Sequence, residues 1–249
     1  MNEKKFEKEF AFDLHVHTRC LRKSVYQSLS DGVNTAGEIV RFAKHIGLSG
    51  LAVTDHNTTI GIEAAMTEGK SKGILVIPGC ELSTTDRTEL LVYGLDNIRG
   101  LTGTTTEIIK AVHDKGGIAV KAHPLFSAIK DLKNPFNNSD TFDAFEINSV
   151  IPLFVNEFFK EVSMRRGIKL TGGSDSHSYL TLGNAITLFR NEITDADSLI
   201  EALRKGRMEA KQFSSDYHLR VQVYPQQLKL LFGRKSNSPV PSKKSEIIE

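Results

Sequence analysis

The chain has 249 residues, 39% hydrophobic and 25% charged, enough to bury a sizeable core in one large α/β domain or two smaller ones. Thirty-two Lys and Arg against 30 Asp and Glu leave a formal charge of only +2, which excludes a global electrostatic case for nucleic acid or a membrane surface as partner. Two cysteines, Cys20 and Cys80, exclude a disulfide framework, and the charged start Met1-Asn2-Glu3-Lys4-Lys5, with no membrane-length apolar run after it, sets the expectation of a cytoplasmic protein with no membrane partner.

The first apolar run is Phe12-Asp13-Leu14-His15-Val16-His17-Thr18. Its period of two predicts a strand over 11–16, with His15 and His17 on one face and Leu14 and Val16 on the other. Apolar residues at helical spacing predict a helix over 35–46 with Gly47 as its C-cap, then a strand over 50–54, a helix over 61–72 and strands over 74–78 and 90–93. A helix over 105–115 is closed by Gly116-Gly117 and leads into a strand over 118–121. A strand over 144–147, a helix over 155–166 closed by Gly167, and strands over 169–172 and 185–189 follow. The last predicted helix covers 195–205, and residues 201–212 read as its charged end.

Strand and helix in turn imply parallel strands joined by crossover helices, and about seven such units imply a barrel or barrel-like sheet. Residues 1–206 are assigned to it and 207–249 to a C-terminal extension. Within that extension 218–224 alternates like a strand, and the basic, proline-containing stretch from Pro225 reads as a partly disordered tail.

In such a fold the catalytic face lies at the C-terminal strand ends. Reading there gives His15 and His17, Asp55-His56, Glu81, His123, Glu146 with Asn148, and Asp175 with His177. Five of the chain's eight histidines thus fall at strand ends, a bias that a set of core-capping or surface histidines would not show. His45 and His113 sit in amphipathic helices, where an exposed face explains them. Imidazole and carboxylate donors without thiolate suit Zn²⁺, Mn²⁺ or Fe, and so many in one cleft suit more than one ion. Glu81 is the isolated acid best placed to bridge two ions, and such a pair suits hydrolysis of a phosphate ester. The glycines of Thr171-Gly172-Gly173-Ser174 lack the Gly-Lys-Ser/Thr of a nucleotide loop and are read as letting backbone approach the centre.

Six motifs in order, Asp13-Leu14-His15-Val16-His17-Thr18, Ser30-Asp31-Gly32, Thr54-Asp55-His56-Asn57-Thr58, Gly79-Cys80-Glu81, Ala122-His123-Pro124 and Gly173-Ser174-Asp175-Ser176-His177, resemble the PHP (polymerase and histidinol phosphatase) domain of metal-dependent phosphoesterases. The resemblance runs over residues 12–189 and implies a distorted seven-stranded β/α (TIM-like) barrel with two to three divalent ions. It implies a first ion on His15, His17, Glu81 and Asp175, with Glu81 bridging to a second on His123, and a third on Asp31, His56 and His177. Members often carry another histidine in the strand after the bridging glutamate, as a ligand of the second ion. Here that strand reads Glu89-Leu90-Leu91-Val92-Tyr93-Gly94 and offers none, so water, substrate or another side chain must complete the site. Glu146 and Asn148 are candidates for that role, or for contacts behind the ligands and to substrate. The inserted loop after Thr18 brings Arg19 and Arg22, which suit either a phosphate clamp or a solvated basic surface.

The expected reaction is hydrolysis of a phosphate ester by a metal-bound hydroxide, with Glu81 bridging and Asp55 or His177 supplying the leaving group's proton. Asp55 has a second reading, shared with Asp13, of orienting a ligand from behind. The expected substrate is a phosphorylated small molecule, a nucleotide or an oligonucleotide end. Two alternatives stand beside it: a metal-dependent hydrolase of a non-phosphate bond, and a nucleic-acid-processing or binding subunit built on a PHP-like barrel.

Overall fold

Residues 9–19, 32–95, 97–126 and 134–213 are described by the computed structural model. They form nine strands: β1 (Phe10–Val16), β2 (Gly50–Val53), β3 (Leu75–Ser83), β4 (Glu89–Tyr93), β5 (Ile118–Lys121), β6 (Ala144–Asn148), β7 (Leu170–Gly173), β8 (Ala185–Phe189) and β9 (Met208–Gln212). All nine join one sheet in the order β7-β6-β5-β4-β3-β2-β1-β8-β9. The main helices are α1 (Ala36–His45), α2 (Ile62–Lys72), α3 (Thr105–Asp114), α4 (Leu153–Arg165) and α5 (Ala196–Lys205).

The sheet curls until its ends nearly meet. Thr187 Oγ1 of β8 accepts the Gly172 N–H at 2.9 Å and donates to the Gly172 carbonyl at 3.0 Å, so one side chain spans the seam to β7. Only glycine permits this approach, because a Cβ on Gly172 would stand 2.1 Å from the Ile186 carbonyl oxygen. Just beyond the strands, the His17 N–H donates to Ser176 O at 2.9 Å and ties β1 to the turn after β7.

Two expectations about the sheet are corrected. The barrel has nine strands rather than seven, and it is mixed: β1-β2, β2-β3, β5-β6 and β6-β7 pair in parallel, while β3-β4, β4-β5, β1-β8 and β8-β9 are antiparallel. The connection from Ser83 to Glu89 is too short for a crossover, so β3 and β4 form a hairpin. The ninth strand takes residues expected to continue a helix end. Gly206, at φ 64°, caps α5, and Met208–Gln212 then pairs antiparallel with β8. The tail from 214, with its expected strand over 218–224, lies outside the described residues.

Alternation along the strands sorts the core into an inner and an outer layer. Phe12, Leu14, Ala52, Ile77, Leu91, Tyr93, Val120 and Ala144 pack inside the barrel with Leu199, Ile200 and Leu203 of α5. Leu51, Val53 and Val76 face outward beneath α1 and α2, Leu90, Val92 and Ala119 beneath α3, and Phe145 and Ile147 against Phe159 of α4. Gly94, which follows antiparallel β4, lies against Ile200, so α5 closes the barrel end where β3 and β5 begin. The opposite end is left to polar side chains. Helix ends are fixed locally: Thr35 with Glu38 and Thr104 with Glu107 form capping boxes at α1 and α3. Among the described residues no helix is long and apolar enough to cross a membrane.

Candidate metal centre

The first strand does not keep its alternation. Asp13 pairs with Leu51 and Val16 with Val53, so β1 advances three residues against two in β2, which is a β-bulge. Leu14 therefore joins Phe12 in the inner core while Val16 joins the layer under α1, correcting the expectation that they share a face. His15 and His17 still come together beyond the bulge, fully buried, with their Nε2 atoms 3.0 Å apart.

Around them stand groups from five other strands or the turns after them. Glu81, near the end of β3, directs Oε2 to His15 Nε2 and His17 Nε2, each at 3.3 Å, and to His56 Nδ1 at 2.9 Å. Its other oxygen, Oε1, lies 2.9 Å from Nε2 of His123, which follows β5. Asp175, after β7, brings Oδ1 to 3.5 Å from His15 Nε2 and 3.2 Å from His17 Nε2. One donor atom from each of His15, His17, Glu81 and Asp175 lies within 4.8 Å of every other, and the same holds for His17, His56 and His177 and for His56, Glu81 and Glu89. The His17 and His177 rings stack with centroids 4.1 Å apart. His123 and Asp175 hold their places with φ at 27° and 53°, a conformation that costs energy in a non-glycine residue and persists where packing enforces it.

The donors fit metal ions by their proton inventory. His15 Nδ1 lies 2.8 Å from Glu146 Oε1, and a carboxylate only accepts, so the His15 proton belongs on Nδ1. That leaves the Nε2 lone pair aimed at His17 Nε2 and at oxygens of Glu81 and Asp175, an arrangement that needs positive charge at its centre. Glu81 Oε2, completely buried, faces three imidazole nitrogens with no well-aligned hydrogen bond among the described residues. In the protein alone, protons do the balancing. Burial opposes a charged His15, but the carboxylates of Glu146, Glu81 and Asp175 outweigh it and hold the imidazole well above its usual range. Burial would likewise raise Glu81 and Asp175, and the facing imidazoles pull both below the ordinary carboxylate range.

The other predicted residues stand outside the cluster or behind it. Glu146 is a hub, since Oε2 also accepts the His123 N–H at 2.8 Å and Asn148 Nδ2 at 3.0 Å. Gly173 makes room for it, because a Cβ there would meet Glu146 Oε1 at 2.2 Å and His15 Cβ at 2.5 Å. Asn148 turns its Oδ1 to the Val150 N–H and supports the turn after β6. Asp13 accepts N–H groups from His15 and Ser174 on one oxygen and Gly183 on the other, and burial still pushes its carboxyl up to about 6. Asp55, also buried, accepts both the N–H and the hydroxyl of Thr18. Arg19 is exposed, and Asp31, Arg22 and Cys20 lie outside the described residues. Glu89, at the start of β4, is the group that the sequence reading passed over. A search for histidine alone in that strand misses it, although any ligating side chain there would have been a signal.

Comparison with known proteins places this arrangement. A family profile described as PHP-associated matches residues 155–208. The chain is similar to PHP-associated proteins over that segment. It is 28% identical over 163 residues to the uncharacterized protein MJ1587 of Methanocaldococcus jannaschii, covering 61% of this chain and 94% of that one. It is 32% identical over 104 residues to the phosphoribosyl 1,2-cyclic phosphate 1,2-diphosphodiesterase of Eggerthella lenta, but that match covers only 38% of this chain and 36% of the enzyme. Among solved structures, a two-domain protein of Bacteroides vulgatus, described as containing a predicted PHP-like metal-dependent phosphoesterase, superposes with a TM-score of 0.64 at 16% identity. That match covers 82% of this chain and 65% of the other, a likeness of fold.

Proposed function

We propose that the protein is a metal-dependent phosphoesterase acting on a phosphorylated small molecule, a nucleotide or an oligonucleotide end. The observation that carries this reading is the division of Glu81, one oxygen toward His15, His17 and His56 and the other toward His123. A bridging carboxylate is what a centre of more than one ion requires, and divalent ions there would acidify water and neutralise charge on a phosphoryl group. His15, His17, Glu81 and Asp175 would hold one ion and Glu81 with His123 a second. His56 and His177 would hold a third, with Asp31 as the resemblance implies. Nitrogen and oxygen donors of this kind suit Zn²⁺, Mn²⁺ or Fe²⁺.

The chain's own groups prepare the site for that chemistry. Glu146 keeps the His15 proton on Nδ1, which leaves Nε2 free to bind. The burial of His15, His17 and Glu81 keeps bulk water from the inner donors, while His177, with 45% of its side chain exposed, stands where substrate would enter. Asp55 is committed to Thr18 and so is poorly placed to hand a proton to a leaving oxygen. The name of the Eggerthella relative supports a phosphate ester as the bond cleaved.

The test is an assay of full-length protein stripped by chelation and then supplied with Zn²⁺, Mn²⁺ or Fe²⁺, against phosphomonoesters, phosphodiesters, nucleotides, short RNA and amides. Hydrolysis of a phosphate ester only when metal is present is the expected result. Undiminished cleavage by stripped protein, or turnover of amides alone, would overturn the proposal.

A further inference from the structure

Strand β4 holds a carboxylate where the second ion position is otherwise short of a ligand. The residue opposite Glu81 in the β3-β4 register is Leu91, which packs in the inner core and has nothing to offer a cation. Two residues earlier in the strand, opposite Ser83, is Glu89. Its Oε2 lies 3.6 Å from His123 Nε2, the same nitrogen that stands 2.9 Å from Glu81 Oε1. Donor atoms of Glu89, Glu81 and His56 also lie within 4.8 Å of one another. The Glu89 carbonyl accepts the Ala122 N–H at 3.1 Å, which fixes the strand beside the turn that carries His123. The two oxygens of buried Glu81 divide the donors, Oε2 facing His15, His17 and His56 while Oε1 faces His123 and so belongs to the side on which Glu89 stands. Glu89 is itself 36% exposed, so an ion can reach it from solvent.

We infer that Glu89, with Glu81 and His123, completes the second ion position and makes it carboxylate-rich, so that it discriminates less strongly in favour of Zn²⁺ over Mn²⁺ than the position with two imidazoles does. His56 faces the other oxygen of Glu81, so the Oε1 side has two carboxylates, Glu81 and Glu89, and one imidazole, His123, against two of each at the position formed by His15, His17, Glu81 and Asp175. Carboxylate oxygen suits Mn²⁺, and each imidazole added to a site raises its relative preference for Zn²⁺. One chain would then carry two ion positions of different hardness that share the Glu81 bridge. The inference rests on the proposed phosphoesterase reading, because it assumes that the cluster binds metal.

The experiment measures metal directly. Stripped full-length protein is titrated with Mn²⁺ followed by electron paramagnetic resonance, then equilibrated with equal Mn²⁺ and Zn²⁺ and analysed for content, with Glu89→Gln and Glu89→His treated alongside. Glu89→Gln is expected to lose one equivalent of Mn²⁺, or to bind it at least about tenfold more weakly, while the remaining equivalents are unchanged. Glu89→His is expected to keep the stoichiometry of the wild type and to raise the Zn²⁺ to Mn²⁺ ratio in that equivalent. If Glu89→Gln binds Mn²⁺ with wild-type number and affinity, the inference falls and the phosphoesterase reading stands. If wild-type protein binds no divalent ion, both fall together.

Discussion

The two ends of the barrel are built from the same strands and could hardly differ more. At one end Phe12, Leu14, Ile77, Tyr93 and Ala144 close on Leu199, Ile200 and Leu203 of α5. At the other, the same strands or the turns after them carry His15, His17, Glu81, Glu146 and His123, equally buried but ionisable. Burial at the first end contributes to stability, about 2 kcal/mol for each large apolar side chain, whereas burial at the second costs desolvation that only opposite charge offsets. The apolar end therefore holds the fold while the polar end holds a centre that would be unfavourable on its own.

Glu81→Gln is the strongest way to break that contrast. Losing the shared carboxylate is expected to cut kcat/KM for the phosphate ester roughly a thousandfold or more, several kcal/mol of charge stabilisation, while circular dichroism shows the fold intact. Leu203→Ala attacks the other end and is expected to cost about 3 kcal/mol, read as a drop of about 6–12 °C in Tm, with metal content per folded molecule unchanged. Removing metal by chelation tests the coupling between the ends. Saturation at a hundredfold over Kd is worth about 2.7 kcal/mol, so Tm is expected to fall on chelation and recover with added ion in a concentration-dependent way. Glu146→Gln removes the negative charge beside the His15 proton and leaves a single acceptor oxygen where His15 Nδ1 and the His123 N–H now use two, and a roughly 10- to 100-fold loss of metal affinity is expected by titration calorimetry. The smallest effect is expected at Cys80. Burial pushes its thiol up to about 12, so a thiol reagent at neutral pH should leave it unmodified until the protein unfolds.

The sequence made the polar end more legible than the seam and the edges. Most elements from β1 to α5 fall close to their expected bounds because the apolar spacing is strong, although β3 runs on from the expected end at Pro78 to Ser83, and the donors declare themselves as His, Asp and Glu at strand ends. Strand direction was not legible, since periodicity says which residues are buried and nothing about which neighbour a strand meets. Only the short link from Ser83 to Glu89 betrays the hairpin. β9 was hidden by Glu209 and Lys211, whose charges suit the open edge of a sheet as well as a helix surface. The bulge in β1 leaves no mark in the string of residues, because its cause is the register with β2. Glu89 was concealed by its ordinariness, an acid at the start of a strand whose meaning comes from His123, far away in the chain.

The hydroxyl of Thr187 that joins β8 to β7 has a consequence for how the molecule opens. Together with the bonds of Ser174 and Ser176 to β1 it closes the seam, and His15 and His17 stand on one side of that seam while Asp175 stands on the other. An ion gripped by all three would act as a rivet through the gap. Loading the centre and shutting the barrel would then be coupled, and the amides of Gly172 and Ser176 should exchange more slowly in the holo form than in the apo form.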